Sequence, residues 1–225
     1  NIVLCYNILY RLYEIKDKNM NNLSNLVQEI KASLSNAKKN QLDSILSKFN
    51  FLPLSSGSAR KVYANKDLNL VIKVSKNLKG IAQNEQEINL SNDYYISNEV
   101  NKVIEYFETN NQSFIICELG QKVTASKFES IFGVKFNDIL DLFNYFYKSN
   151  VLCLNYLSRP AILDKYSKGT LSDSLNDFIS SIENLIGTYE IVDSHVKSSY
   201  AFFGNELKLI DYGCTREILK EYYNR

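Results

Sequence analysis

Leu70-Val-Ile-Lys-Val, residues 70–74, sets a lysine inside a run of branched apolar residues. The run reads as a β-strand. An ammonium in its middle faces either solvent at a sheet edge or a buried anion, because burying an unpaired charge is costly. Glu85 and Glu87 follow within Ile81–Leu90, which reads as a helix, and Glu87, just before Ile88 and close to Leu90, is better placed to turn inward as that anion. A solvated helix face is the alternative for either glutamate.

Upstream, Leu54-Ser-Ser-Gly-Ser-Ala-Arg-Lys-Val-Tyr (54–63) leads into a second strand candidate, Lys61–Ala64. A turn of small residues lets backbone N–H groups approach phosphate oxygens, which makes Ser56, Gly57 and Ser58 candidate contacts; an ordinary hairpin turn uses the same residues. Downstream, Lys102–Phe107 and Ser113–Leu119 are β-rich runs, with Asn110-Asn111 as their hairpin turn. The expected order is strand, strand, helix, strand, strand. Before this block, Leu23, Leu26, Val27, Ile30 and Leu34, then Leu42, Ile45, Leu46 and Phe49, recur at helical spacing.

Beyond Gly120 the period is helical again, at Phe136, Ile139, Leu140, Phe143 and Phe146, then at Leu171, Leu175, Phe178, Ile179, Ile182 and Ile186. Near the end, Tyr200–Phe203 and Glu206–Ile210 flank Gly204-Asn205, a dipeptide suited to a two-residue hairpin turn, and Asp211-Tyr-Gly follows. On its own, a turn aspartate after a strand is common.

Composition narrows the function classes. The 225 residues are 45% apolar and carry 26 Lys+Arg against 25 Asp+Glu, a formal charge of +1, so no global field attracts nucleic acid or an anionic membrane surface. Cys5, Cys117, Cys153 and Cys214 have no CxxC spacing and there is one histidine, so neither a zinc cage nor a disulfide framework is encoded and a reducing, cytoplasmic setting is expected. The apolar start, residues 1–10, is too short to span a membrane and lacks a basic leader. Met20 is the sole methionine, and residues 1–19 are read as an upstream extension of a protein starting there.

The small-residue loop, the strand ending in Lys73, the helix with Glu87, two strands, helices and then Asp211-Tyr-Gly together resemble the protein-kinase superfamily, in an order that matches nearly the whole chain after Pro53. The resemblance implies an α+β fold of two lobes, a small antiparallel-sheet lobe at 51–120 and a reduced, mostly helical lobe at 121–225, preceded by an extension and helices at 1–50. With Val62 at the valine of G-x-G-x-x-G-x-V, Gly57 takes the second glycine, while Ser55 and Arg60 replace the first and third. Leu70-Val-Ile-Lys stands for V-A-I-K, so Lys73 would hold ATP phosphates and Glu87 would orient it. Ile115-Ile-Cys-Glu-Leu-Gly resembles the hinge strand, which puts Cys117 at the gatekeeper and the backbone of Glu118 and Leu119 on the adenine edge. Asp211 would bind Mg²⁺.

Asp193, eighteen residues before Asp211, falls where the superfamily has its catalytic base. Ile191 takes the histidine of H-R-D, and Ser198 takes the second metal-binding asparagine. His195 makes a D-x-H pattern similar to aminoglycoside and other small-molecule kinases, although a lone loop histidine is more often a hydrogen-bonding surface residue, and Lys197 is a candidate γ-phosphate contact. Only twelve residues follow Gly213, so peptide docking through an activation segment and A-P-E is not expected; the compact second lobe this implies resembles small kinase-like proteins of phages and other viruses, and the Asn/Lys/Tyr-rich composition is compatible with an AT-rich viral genome. The expected function is ATP- and Mg²⁺-dependent transfer of the γ-phosphate to a protein or small-molecule hydroxyl. The alternative is a pseudokinase that binds nucleotide or scaffolds a partner protein.

Overall fold

Alternation of apolar residues along three strands builds the first half of the protein. A computed structural model describes residues 23–223 apart from Asn36, Ser97, Asn110 and Asn111, so the readings of residues 1–19, Met20, Cys5 and the Asn110-Asn111 turn lie outside the described residues. Strands β1 (Leu52–Ser56), β2 (Arg60–Asn65), β3 (Leu70–Ser75), β4 (Val103–Thr109) and β5 (Gln112–Glu118) form an antiparallel sheet in the order β1-β2-β3-β5-β4. β3 is central and buried throughout, which rules out the solvent-edge reading of Lys73.

The period of two sorts the faces. Tyr63, Leu70, Ile72, Val74, Phe114 and Ile116 pack on one side against α1 (23–34) and α2 (Leu42–Lys48), so these helices share one apolar core with the sheet. Ala64, Val71, Ile115 and Cys117 cluster on the other side with Ile88 of α3 (Leu78–Ser91). Lys73 alternates with Ile72 and Val74 and so shares that second face. β1 departs from the expected loop, because Leu54, Ser55 and Ser56 are strand residues. Every residue of β1 is exposed, so backbone pairing to β2 holds it and no buried period marks it.

The second half is mostly helical: α4 (Ala125–Phe132), α5 (Phe136–Phe146), α6 (Ala161–Ser167), α7 (Asp173–Tyr189) and α8 (Arg216–Tyr223), with a π-turn at Tyr147–Val151 prolonging α5. Its core gathers the apolar stripes of α5 and α7, with Phe128, Phe136, Phe143, Phe178 and Tyr200 in edge and tilted ring contacts. β7 (Tyr200–Phe203) and β8 (Glu206–Leu209) form the hairpin turning at Gly204-Asn205, and the short β6 (Gln121–Lys122) joins it as a third strand. Among the described residues no helix is long and apolar enough to cross a membrane. Cys117, Cys153 and Cys214 are free thiols.

Two junctions bring the halves together. Leu209 at the end of β8 exchanges backbone hydrogen bonds with Glu99 and Asn101, both at 2.8 Å, just ahead of β4. Beyond it Gly213 runs so close to α3 that a Cβ there would lie 2.2 Å from the Gln83 carbonyl oxygen, so only glycine lets the segment after Asp211 touch that helix. Phe143 is wholly buried at the centre of the helical core; Phe143→Ala is expected to lower unfolding free energy in urea by about 3–5 kcal/mol, against a change within about 0.5 kcal/mol for Tyr156→Ala, which is exposed.

Candidate functional site

Four charged side chains from four segments meet where β2, β3 and α3 face the segment after β8. Lys73 Nζ donates to Glu87 Oε2 at 2.5 Å and to the Ile210 carbonyl at 2.5 Å. Arg60 Nη1 donates to Glu87 Oε1 at 2.7 Å and to Asn84 Oδ1 at 3.3 Å, and its Nη2 donates to Asp211 Oδ1. Glu87 is completely buried, so its carboxylate depends on these two cations for compensation; Glu85, two residues earlier, is exposed. Burial works against the Arg60 guanidinium, but Glu87 and Asp211 outweigh it and hold its pKa above the usual arginine value. Tyr212 is buried under the cluster, its ring 5.8 Å from Lys73 Nζ and its hydroxyl donating to the Asn101 carbonyl at 2.7 Å.

The arginine is aimed by its backbone. Gly57 N–H donates to the Arg60 carbonyl at 2.9 Å, closing the β1–β2 turn, and Lys76 N–H donates to the Ala59 carbonyl at 2.8 Å, tying that turn to the start of α3. Asn84, wholly buried, braces the cluster from behind by donating to the Ser113 hydroxyl at 2.8 Å.

This cluster forms the floor of a cleft of about 930 Å³ between the five-stranded sheet and the helical half. Asp193 enters it from a 3₁₀ turn (Asp193–His195) held by Val192 N–H on the Cys214 carbonyl at 2.9 Å and by the Tyr200 hydroxyl on the Ser194 carbonyl. Burial and the nearby Asp211 carboxylate push the Asp193 carboxyl above its ordinary value, against weaker opposing pulls from His195 and Arg60. Lys73, Asp193 and Asp211 therefore face one cavity, with Glu87 immediately behind Lys73.

The remaining expected residues divide. Ser56, Gly57, Ser58, Val62, Glu118, Leu119, Lys197 and Ser198 line the cleft. Cys117 does not: it points into the small apolar cluster on α3's face of the sheet, and burial pushes its thiol up to about 12. Of the backbone groups expected to read an adenine, the Leu119 N–H already donates to the Asn69 carbonyl at 2.8 Å, and the Glu118 carbonyl accepts one hydrogen bond, from the Asn101 side chain at 2.9 Å. Gly57 N–H, engaged in its own turn, is likewise not free for phosphate. His195 stacks 6.0 Å from Tyr147 and does not line the cleft; its buried Nδ1 has no hydrogen-bond partner.

The position expected to hold Mg²⁺ already carries a cation of the protein. Among the described residues no three His, Cys, Asp or Glu side chains group as metal ligands. Asp211 already carries the Arg60 guanidinium on Oδ1, and Ser198 adds only a neutral hydroxyl, so a Mg²⁺ there would depend on water and substrate phosphates for most of its shell. Sequence reasoning missed Arg60, Asn84 and Lys122 as site residues. For Arg60 a signal existed, a large cation at the end of a small-residue turn; for Asn84 and Lys122 nothing in the spacing marks them. Compared with known proteins, the chain matches no protein-family model and no curated protein sequence.

Removing the buried anion should be costly: Glu87→Gln leaves two buried cations sharing a neutral amide and is expected to lower stability by about 3–5 kcal/mol, whereas Glu85→Gln should shift it by less than about 0.5 kcal/mol in the same urea titration. Asp193 gives a prediction of opposite sign. Its pKa is raised on folding, so the native state favours the protonated form; stability from this group is present below the ordinary 3.8 and is lost as pH rises through the raised value. Asp193→Asn is therefore expected to raise the melting temperature at pH 7 and to match wild type below pH 3.8, as read by melting curves across pH.

Proposed function

We propose that the protein is a two-lobed, kinase-like nucleotide-binding protein whose reaction is transfer of the terminal phosphoryl group of ATP to a hydroxyl of a protein or small molecule. The observation that carries this reading is the convergence of Lys73 with its buried partner Glu87, Asp211 and Asp193 on a single cleft. Their meeting in one cleft, in the chain order strand lysine, helix glutamate and two loop aspartates, supports the reading. In this reading residues 51–120 form the sheet lobe and 121–225 the helical lobe.

The chemistry asks little of the protein beyond position and charge. Lys73 holds the phosphates from the sheet side, and the exposed Lys197 lines the same cleft. Asp193 accepts the proton as the acceptor oxygen bonds to the terminal phosphorus; the bond from that phosphorus to the bridging oxygen breaks, and ADP leaves with the electron pair. A carboxyl raised above its ordinary value is a better matched base near neutral pH than a free aspartate.

A second reading, a pseudokinase that binds nucleotide and engages a partner protein, draws support from Ser198 at the asparagine position and from the Arg60 contact on Asp211. Label transfer from γ-phosphate-labelled ATP, with and without Mg²⁺, to the protein itself and to small hydroxyl acceptors separates the two. Transfer lowered at least about a hundredfold by Asp193→Asn with ATP affinity retained supports the phosphotransferase; ATP binding without transfer in either variant supports the pseudokinase. No ATP binding under any condition overturns both.

A further inference from the structure

The cation that sits on Asp211 belongs to the protein. Arg60 is 7% exposed yet borders the cleft, and its guanidinium is held by Glu87, Asn84 and Asp211 together. Of its five N–H donors, those contacts engage three, so the others remain for a ligand oxygen. Guanidinium is planar, permanently charged and suited to paired contacts with phosphate oxygens. A divalent cation arriving at Asp211 would have to stand beside this guanidinium or displace it. Displacement would take from Glu87 one of the two cations that compensate a wholly buried carboxylate, while the tethered turn at Gly57–Arg60 keeps the side chain directed inward.

We infer that Arg60 is the resident counter-cation of the phosphate subsite, so that this cleft binds a nucleoside triphosphate without a divalent metal. The inference rests on the nucleotide-binding reading above and deepens it. Lys73, Lys122 and Lys197 also line the cleft and add positive charge toward the same anion, against Glu118, Asp193 and Asp211.

The test measures ATP binding by calorimetry on the full chain, in excess EDTA and in Mg²⁺. Wild type is expected to bind ATP in EDTA with an affinity within about threefold of that in Mg²⁺. In Arg60→Gln the metal-free affinity should fall by at least about tenfold, the value of one charge-assisted hydrogen bond, and Mg²⁺ should now restore it, because Asp211 is released. Arg60→Lys, which keeps a cation on the buried Glu87, should retain metal-free binding better than Arg60→Gln. A purely structural role for Arg60 would not move the dependence on Mg²⁺. Wild-type binding that requires Mg²⁺, or metal-free binding unchanged in Arg60→Gln, overturns the inference and leaves the nucleotide reading standing. Absence of ATP binding in both buffers overturns the nucleotide reading itself, and the inference with it.

Discussion

Glu87 is a carboxylate with no access to solvent, and the architecture around it follows from that. A buried anion is tolerable only when cations and hydrogen-bond donors surround it. Lys73 from β3 and Arg60 from β2 supply them, each on its own oxygen. Those two residues must therefore lie on the same face of the sheet as α3, and the residues alternating with them must lie on the opposite face, where Tyr63, Ile72 and Val74 pack against α1 and α2. One polar demand thus sets the register of three elements.

The second demand is where the cluster's cations go next. Lys73 reaches the Ile210 carbonyl and Arg60 reaches Asp211, so the segment after β8 is drawn against α3, and the absence of a side chain at Gly213 allows the approach. The helical half, with its own aromatic core, comes with that segment. The cleft is the space left between two apolar cores that are joined by charge, and this is why polar and titratable residues line a cavity between two otherwise greasy bodies.

Electrostatics then separates the two aspartates of the cleft. Asp211 is half-exposed and paired with a guanidinium, whereas Asp193 has no such partner, loses solvation on its 3₁₀ turn and feels the charge of Asp211. Burial and that neighbouring charge together raise the proton affinity of Asp193.

Much of this was legible in the chain. The branched apolar run around Lys73, the 3.6-residue stripes of α5 and α7, and the Gly204-Asn205 turn are local signals, and the elements appear where they put them. Lys73 and Glu87 were readable as a pair because a lysine inside an apolar strand demands an anion. β1 was not readable, since its order comes from pairing with β2 and not from burial. Nor was the engagement of the Leu119 N–H, the retreat of Cys117 into the sheet's own apolar cluster, or the position of Arg60 on Asp211, 151 residues away. Local patterning along the chain sets the elements and names the charges that cannot be left unpaired; which cation meets which anion emerges on folding, because a long side chain's partner depends on the three-dimensional approach of segments that no local period encodes.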